Sequence, residues 1–537
     1  MADVESRQAL YRFAYRRSPD QDAADPVRHP VVVVGAGPVG LAAAIDLCQR
    51  GVPVVLLDDA DRIGEGSRGI CYSKHCLEIL DTLGVGEAVA AKGVGWHVGK
   101  VHFRDREVYR FDLLPEPGHK MPAFVNLQQY YLEKLLVERL ERLPGADIRW
   151  RNRVVGLEST ADGACLDIDT PEGRYRIAAD WLVAADGARS TIRDLIGIDF
   201  VGETFRDQFL IADIRMQADL PAIRQFWFEP PFHSGQSALI HKQPDDVWRV
   251  DFQIGWDADP REETRPERVR ARLDRMMEGR PYDLVWVSVY TFQCRRAERF
   301  VHGRVILAGD AAHQVSPFGA RGANSGIEDA QNLAWKLALV VSGEAPARLL
   351  DSYDCERIQA ADVNIAHSTR STDFLVPKSP GDKVLRDAVL ELARDHGFAR
   401  RMVNSGRLHT AAIYDSTLST PDTDPFGGQM RPGAPLPDAP MVDAAGRQVW
   451  LLNALGRDFT LLHADDGTTP EPPPGVRLLR IGRDLHDATG LFAVRCDPAP
   501  GSCWLVRPDH YLAARFRRYD RTRIEAALAR AKGMTDG

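Results

Sequence analysis

The sequence predicts an α/β fold that is interrupted by an antiparallel β-rich segment and followed by a separate C-terminal domain. Strand and helix signals alternate from residue 31 to about residue 195, as an α/β domain requires. Between about 200 and 300, runs such as 225–228 and 247–254 alternate in the manner of antiparallel strands with one buried face. Residues 420–428 are dense in turn formers, which indicates a linker before the last domain.

Composition excludes several classes of protein. The 537 residues leave room for about three or four domains, and 44% apolar with 27% charged residues is ordinary for a globular chain. The net charge of −8, without a basic stripe, predicts no nucleic-acid partner. The eight cysteines show no CxxC and no zinc-like spacing, which predicts reduced thiols and no metal. The apolar stretch 31–47 is broken by glycines, so we expect no membrane span and a cytoplasmic protein.

The first element is a β-branched strand at 31–34 that ends in a GxGxxG turn. The first glycine of this turn permits a tight bend, the second lets the backbone approach a pyrophosphate, and the third allows close helix packing. A helix at 41–50 and a strand at 52–57 follow, and Asp58 ends that strand where it accepts from a ribose hydroxyl. This strand–turn–helix context predicts a Rossmann-like dinucleotide-binding domain. A second GxGxxG match at 64–69 lacks such a context, and we interpret it as a loop. The binding turn consists of Gly35, Gly37, Pro38, Val39 and Gly40.

Two further motifs indicate which dinucleotide cofactor is bound. The segment 181–193 contains Asp186-Gly187, and the segment 303–324 contains Gly309-Asp310. Together with the N-terminal turn, their order resembles the three-part signature of FAD-dependent aromatic hydroxylases, the group A flavoprotein monooxygenases. The resemblance covers residues 31 to about 345 and implies FAD as the cofactor.

The resemblance also implies roles for individual residues. Glycine at 309 lets the strand end approach the flavin, and the Asp310 carboxylate accepts from a ribityl hydroxyl. A Gly-rich loop then leads to a helix whose N-terminus faces the flavin and stabilises its anionic reduced form. The spacing of Ser325 and Glu328 predicts a capping box for that helix. The remaining implied cofactor contacts are Asp186, Pro317, Gly322 and Asn324, with Arg68 near the FAD phosphates and Gln129, or its neighbour Gln128, beside the ribityl chain.

The C-terminal segments 459–462 and 503–515 resemble the thioredoxin-like domain of the phenol hydroxylase and 3-(3-hydroxyphenyl)propionate hydroxylase-like branch. Because CxxC is absent, we expect a structural domain, possible support for a homodimer, and no redox activity. The expected division is a polar N-terminal extension at 1–28, an FAD-binding domain at 29–199 and 296–415, a substrate-binding β-rich region at 200–295, a linker at 416–431 and the thioredoxin-like domain at 432–537.

The implied activity is that of a monooxygenase in which NAD(P)H reduces FAD, O₂ forms a flavin hydroperoxide, and its distal oxygen is transferred to a phenolic substrate. No motif identifies a catalytic base, because the flavin carries the difficult chemistry. Along 248–254 the apolar residues share one face and leave Arg249 on the other, but the sequence does not tell which face meets the cofactor. The candidates for the substrate pocket, each with an ordinary structural role as the alternative, are Arg215, Gln225, His241, Arg249 and Tyr290.

Three alternatives stay open. One is an FAD-dependent reductase, oxidase or halogenase of the same fold that does not hydroxylate, although no halogenase-type WxWxIP segment is present. The second alternative is a flavoprotein with two dinucleotide sites. Such a protein needs a second glycine fingerprint between a strand and a helix, and the sequence shows none. A non-catalytic flavin-binding protein is the third. The sequence leaves open a small or a polycyclic phenol, and NADH or NADPH.

Overall fold

The computed structural model describes residues 11–64, 69–403, 408–427 and 430–535. The strands in chain order are β1 (Val27–Val34), β2 (Val54–Asp58), β3 (Cys71–Ser73), β4 (Val94–Trp96), β5 (Val98–Phe103), β6 (Arg106–Asp112), β7 (Phe124–Asn126), β8 (Ala146–Trp150), β9 (Arg153–Thr160), β10 (Gly163–Thr170), β11 (Gly173–Ala184), β12 (Phe200–Arg215), β13 (Arg224–Phe228), β14 (Ser237–Lys242), β15 (Val247–Ile254), β16 (Asp283–Ala297), β17 (Val301–His302), β18 (Val305–Leu307), β19 (His313–Gln314), β20 (Pro440–Asp443), β21 (Gln448–Trp450), β22 (Thr460–Ala464), β23 (Arg477–Ile481), β24 (Leu485–His486), β25 (Cys503–Val506) and β26 (Leu512–Phe516).

The helices in chain order are α1 (Pro38–Gln49), α2 (Lys74–Thr82), α3 (Gly86–Lys92), α4 (Gln129–Leu140), α5 (Thr191–Leu195), α6 (Pro260–Glu263), α7 (Pro266–Met277), α8 (Gly322–Val341), α9 (Asp351–Leu375), α10 (Pro380–Ala393), α11 (Gly397–Met402), α12 (Leu451–Leu455), α13 (Leu491–Cys496) and α14 (Arg521–Ala531). In the part of the chain that is described, no helix has both the length and the apolar character needed to cross a bilayer.

The first sheet has a parallel core in the order β18-β11-β1-β2-β8, to which β17, β10 and β9 add antiparallel neighbours. Its strands β1 and β2 are joined by α1, which is the predicted strand–helix–strand unit. The helix begins at Pro38, earlier than the predicted residue 41, because proline is well suited to the first helical position. Strands buried on both faces explain the near-continuous valine run 31–34.

The second sheet is mostly antiparallel, in the order β19-β16-β12-β15-β14-β13-β5-β6. The predicted β-rich region supplies β12 to β16, but β5 and β6 come from residues 98–112, far earlier in the chain. One face, here called the outer face, packs under α7 through an apolar cluster that includes Val250, Phe252, Val269 and Leu273. The opposite, inner face turns toward the small sheet β3-β7-β4 of the first domain, where the Asn126 amide donates to the Lys242 carbonyl at 2.8 Å.

The third sheet belongs to the C-terminal part, in the order β21-β20-β24-β23-β22-β25-β26. Strand β22 pairs in parallel with β23 and antiparallel with β25. The segment predicted as a linker lies against this sheet, since Thr420 N–H donates to the Ala513 carbonyl and Arg515 pairs with Asp422 at 2.6 Å. All eight cysteines are free thiols.

A buried charge network joins this C-terminal part to α8 and α9. Arg507 binds Glu356 of α9 at 2.7 and 3.0 Å, and its Nε donates to Asp509 at 3.0 Å. Lys336 of α8 donates to the same Glu356 at 2.8 Å. All four side chains are essentially inaccessible to water, so each charge depends on the others for compensation.

The described part of the N-terminal extension packs on the first domain. The Phe13 ring stacks on Trp150 with centroids 4.2 Å apart, and the Tyr15 hydroxyl lies 3.2 Å from Thr170 Oγ1. These contacts hold the described part of the extension on the first domain.

The predicted capping box of α8 is wrong. The helix begins at Gly322, so Ser325 and Glu328 lie inside its first two turns. Both are instead held by Arg357 of α9, which donates to Ser325 Oγ at 3.0 Å and lies 3.3 Å from the Glu328 carboxylate. The spacing of Ser325 and Glu328 matches a capping box, but a buried arginine from another helix binds both side chains.

Candidate cofactor and substrate site

The glycine turn after β1 has three distinct environments. Gly35 has φ +104°, and a methyl group on it would overlap the Ala185 carbonyl oxygen. A methyl group on Gly40 would overlap the Gly35 carbonyl, so this position needs glycine for helix packing. A methyl group on Gly37 would meet no atom of the described residues within 4 Å, and its φ of −76° suits any residue. Gly37 thus leaves space at the N-terminus of α1, where an anionic diphosphate is favoured.

Two acidic residues lie at the ends of β2 and β11, the strands that flank β1, and each accepts backbone N–H groups. The Asp58 carboxylate accepts from Ala36 N–H at 2.6 Å and Ala60 N–H at 2.9 Å, which leaves lone pairs for a ribose hydroxyl. Burial raises the pKa of Asp58, and these N–H groups partly offset that rise. Asp186 accepts from the Ser190 hydroxyl at 2.5 Å and from Ile192 N–H at 3.0 Å, so it supports the start of α5, whose N-cap residue is Ser190.

Val39 joins the first and third sequence motifs. Its side chain lies where a methyl group on Gly309 would come within 2.9 Å, and one on Gly326 of α8 within 2.6 Å. Gly309 has φ +62° and donates its N–H to Asp329 at 2.9 Å. Asp310 follows in a short 3₁₀-helix and is exposed. The glycine turn, the Gly309-Asp310 turn and α8 therefore meet around a single side chain.

The loop before α8 is fastened at both ends. The Pro317 carbonyl accepts from Ala320 N–H at 3.0 Å, and Asn324 accepts from Ser73 N–H while donating to the Cys71 carbonyl, both at 2.9 Å. Arg321, the residue before Gly322, makes no side-chain cap to the helix. The N–H groups of the first turn keep the partial positive charge that favours an anionic group. Open space at Gly37 and this uncapped helix N-terminus both fit a dinucleotide such as FAD.

Gln129 lies on this side of the molecule and Gln128 does not. The Gln129 Oε1 accepts from Gly69 N–H at 2.9 Å, and its Nε2 donates to Glu133 at 2.7 Å. Gln128 points toward the second sheet, where its amide donates to the Pro244 carbonyl. Arg68, the predicted phosphate contact, lies outside the described residues.

A buried ionic network supports the motif from behind. Asp329 accepts from His313 Nε2 at 2.7 Å and from Arg357 Nε at 2.5 Å, besides the Gly309 N–H. Burial favours a raised pKa for Asp329, but His313 and Arg357 outweigh it and hold the pKa below its usual value. The carboxylate stays charged and anchors the Gly309 turn. His313 thus supports the Gly309 turn through Asp329.

The inner face of the second sheet carries a row of polar side chains in register. Asp213 of β12 pairs with Arg249 of β15, and Arg249 pairs with His241 of β14. The pair Gln225–Ile240 makes Arg224 of β13 the next cross-strand neighbour of His241. Buried charges and an imidazole therefore succeed one another across four strands.

The members of this row differ in how their polar atoms are satisfied. Arg249 donates to Asp213 through two hydrogen bonds of 2.7 and 2.8 Å. His241 is 4% exposed, and neither ring nitrogen has a hydrogen-bond partner among the described residues. Its Nε2 lies 3.8 Å from Asp251, two residues along β15 from Arg249. Burial raises the pKa of Asp251 to about 6, against the opposing effect of Arg249 and Arg224.

The row faces the first domain. Arg224 is 8% exposed and lies over the Trp96 ring of β4 at 5.9 Å, beside the Cys71 thiol of β3. Further along the face, Phe209 meets Phe318 of the loop before α8, with ring centroids 4.7 Å apart. The inner face, not the apolar face of β15, is the one that meets the motif loops.

The five predicted pocket candidates separate accordingly. His241, Arg249 and Tyr290 lie on the inner face, with Tyr290 opposite Phe209. Arg215 ends β12 one row beyond Asp213, opposite Val247 and Asp283. The prediction for Gln225 needs correction, because strand alternation places it on the outer face, paired with Ile240.

Sequence reasoning missed Arg224, Asp213 and Asp251. A signal existed for Asp251, which shares the polar face of β15 with Arg249. For Arg224 and Asp213 no such signal existed, since their proximity depends on strand register.

Comparisons with known proteins agree with this geometry. A family model described as FAD binding domain matches residues 28–368. The chain is 33% identical to 6-methylpretetramide 4-monooxygenase of Streptomyces rimosus, over 93% of this chain and 92% of that protein. It is 28% identical to the 3-(3-hydroxy-phenyl)propionate/3-hydroxycinnamic acid hydroxylase of Mycolicibacterium gilvum, over 94% and 92% respectively. The crystal structure of the flavin-dependent monooxygenase PieE with FAD and substrate superposes with a TM-score of 0.81 at 25% identity, covering 95% of this chain and 100% of that one.

Proposed function

Since the chain belongs to the family of FAD-dependent aromatic monooxygenases, we propose that it uses NAD(P)H and O₂ to hydroxylate a phenolic compound bound on the inner face of the second sheet. The observation that carries the proposal is the meeting of the glycine turn, the Gly309 turn and α8 at Val39, together with the contact of the loop before α8 with the inner face through Phe318 and Phe209. Bound FAD supplies electron transfer from NAD(P)H and activation of O₂.

The residues of the chain supply binding and shielding. In this proposal the N-termini of α1 and α8 hold the anionic parts of the cofactor, and Asp58 and Asp310 bind its hydroxyl groups. The Phe209–Phe318 contact closes the layer between cofactor and sheet and excludes water from the reacting centre.

The substrate class has two candidates. Similarity over nearly the whole chain to a monooxygenase named for 6-methylpretetramide favours a polycyclic phenol. The lower identity to the phenylpropionate hydroxylase keeps a small phenol with an acidic side chain as the second candidate.

The test begins with the absorbance spectrum of the purified protein, followed by NADH and NADPH oxidation in the presence of 6-methylpretetramide, 3-(3-hydroxyphenyl)propionate and simpler phenols. We expect a flavin spectrum, oxidation stimulated by at least one phenol, and a product that gains one oxygen atom from ¹⁸O₂. Catalase and a peroxide assay control for oxidation that is not coupled to hydroxylation.

Other results would redirect the proposal. A flavin spectrum without stimulation by any phenol, or stimulated oxidation that yields only peroxide, favours a reductase or oxidase of the same fold. A colourless protein that cannot be reconstituted with FAD contradicts the assigned cofactor site.

A further inference from the structure

The inner-face row contains a buried imidazole whose ring nitrogens have no hydrogen-bond partner among the described residues, next to a buried guanidinium that contacts the Cys71 thiol and the Trp96 ring. His241 has two ring nitrogens without hydrogen-bond partners at 4% exposure. Arg224, at 8% exposure, has no carboxylate among the described residues within salt-bridge distance, although Asp251 acts on it through space. Leaving a buried polar group unpaired typically costs about 1–3 kcal/mol, and more for a charge. A bound group that pairs with both His241 and Arg224 would remove this cost.

The remaining charges of the cluster are already matched. The Asp213 carboxylate neutralises Arg249 through two hydrogen bonds, so Arg249 has no charge left to offer a ligand. Asp251 lies 3.8 Å from His241 Nε2 and outside salt-bridge distance of both arginines. The cluster therefore presents one unneutralised cation, Arg224, next to one neutral imidazole.

Resting on the proposed function, we propose that His241 and Arg224 form the receptor for the acidic hydroxyl of the substrate: His241 accepts its proton, and Arg224 pairs with the oxyanion that remains. The substrate O–H bond breaks and an N–H bond forms on the imidazole. The electron pair stays on the oxygen, so nothing is oxidised or reduced. A hydrogen on Nε2, the nitrogen nearer Asp251, leaves Nδ1 as the acceptor. After transfer, the imidazolium faces Asp251 and the phenolate faces Arg224, so each charge has an opposite neighbour.

The charges around His241 keep the unliganded imidazole neutral, and pairing of Arg224 with the oxyanion removes one of the charges that oppose its protonation. Burial lowers the pKa of His241 well below its usual value, and Arg224 on β13 and Arg249 on β15 lower it further. The imidazole is thus neutral at pH 7 and available as an acceptor. Asp251 on β15 opposes this effect, and Asp213 on β12 cancels most of the Arg249 charge. A phenolate is a stronger nucleophile than the phenol, so binding the substrate as its anion favours oxygen transfer to the ring.

The test uses the FAD-loaded protein and two coloured phenols, 4-nitrophenol as a small probe and 1,2-dihydroxyanthraquinone as a polycyclic one. Absorbance difference spectra distinguish the neutral and anionic forms of each bound probe. Titration over pH gives the apparent pKa of the bound phenol. We expect at least one probe to bind wild-type protein with its pKa lowered by one unit or more relative to free solution.

Four variants assign the effect. His241→Gln should bind the probe with its pKa returned to within a few tenths of the free value, and Arg224→Gln should weaken binding of the anion about tenfold or more. His241→Asn repeats the first measurement should the glutamine variant fold poorly, as judged by flavin content and circular dichroism. Gln225→Ala is the matched control, since it neighbours Arg224 but lies on the outer face, and it should behave as wild type.

Several results would overturn the proposal. These are binding of the phenols by wild type with an unshifted pKa, no binding of either probe in any protonation state, or a full pKa shift that persists in the His241 variants. Because this binding measurement needs neither NAD(P)H nor O₂, its outcome does not depend on whether the protein hydroxylates the phenol. Anion binding without hydroxylation contradicts only the proposed activity, and hydroxylation without anion binding contradicts only the receptor.

Discussion

Arg249 and Asp213 face each other across adjacent antiparallel strands and form a buried ion pair with two hydrogen bonds, Nε to Oδ1 at 2.7 Å and Nη2 to Oδ2 at 2.8 Å. Both side chains are less than 10% exposed. The pair matches the planar fork of arginine to a carboxylate, which is the strongest geometry available to the two groups. It fixes one end of the polar row and leaves Arg224 as the cation at the other end.

Replacing Asp213 by Ala should destabilise the protein by about 3–5 kcal/mol, because it leaves the Arg249 charge buried without compensation. Urea unfolding monitored by circular dichroism measures the loss. Asp219→Ala, at an exposed position just after β12, should change stability by less than about 0.5 kcal/mol. The double replacement Asp213→Leu with Arg249→Met should recover much of the loss, and equal losses for single and double variants would argue against the pairing explanation.

The glycine turn predicts opposite outcomes for two alanine variants. Gly37→Ala should fold as wild type, because its φ of −76° and open surroundings accept a methyl group, yet it should bind FAD at least about tenfold more weakly. Gly40→Ala should lower the stability of the apoprotein by about 1–3 kcal/mol or prevent folding, since the methyl group overlaps the Gly35 carbonyl. Thermal unfolding of the apoprotein and flavin titration separate the two effects. Unchanged FAD affinity in Gly37→Ala would remove the diphosphate from this turn.

Asp310→Ala should weaken FAD retention about tenfold without loss of stability, because its carboxylate is exposed in the unliganded chain and is assigned to the ribityl hydroxyls. The ratio of flavin to protein after gel filtration reports the change. Asp199→Ala, another exposed aspartate, serves as the control and should keep wild-type occupancy. Full flavin occupancy in the Asp310 variant would refute the ribityl assignment.

Asp251 should make stability depend on pH in a predictable direction. Its pKa of about 6 in the folded protein exceeds the ordinary value of 3.8, so between these values the folded state binds a proton that the unfolded state releases. The resulting stabilisation is complete below about pH 3.8 and is lost as the pH rises through 6, a change of up to ~3 kcal/mol. The stability of Asp251→Asn minus that of wild type should therefore increase as the pH rises from 5 to 7.5, because asparagine does not titrate. Urea unfolding at these two values tests the prediction, and a constant difference between the two proteins would contradict it.

Arg507→Met should loosen the C-terminal part, because Glu356 and Asp509 lose their shared buried cation. We expect a loss of about 3–5 kcal/mol and faster proteolysis in the 416–431 segment. Arg518→Met, an exposed arginine of the same domain, is the control. Equal proteolysis rates in the two variants would show that the network does not hold this part in place.

Local sequence predicted the α/β fold class with its β-rich insert, which the structure and its neighbours confirm. It also predicted the family and the FAD cofactor, which the comparisons confirm. These features were readable because they depend on short-range constraints. Gly35 has a positive φ, and Gly40 contacts the backbone of a residue only five positions away. In a strand, the alternation of apolar and polar residues shows which side chains share a face.

Tertiary structure decided the rest. The capping box at Ser325 is absent because Arg357, an arginine on another helix, binds both of its side chains. The sequence determined that Arg249 is opposite the apolar face of β15, but only the packing of β3, β4 and the Phe318 loop decided that its face meets the motif loops. The row that joins Asp213, Arg249, His241 and Arg224 depends on the register of four strands, and register is set by long-range pairing and burial, which no local pattern encodes.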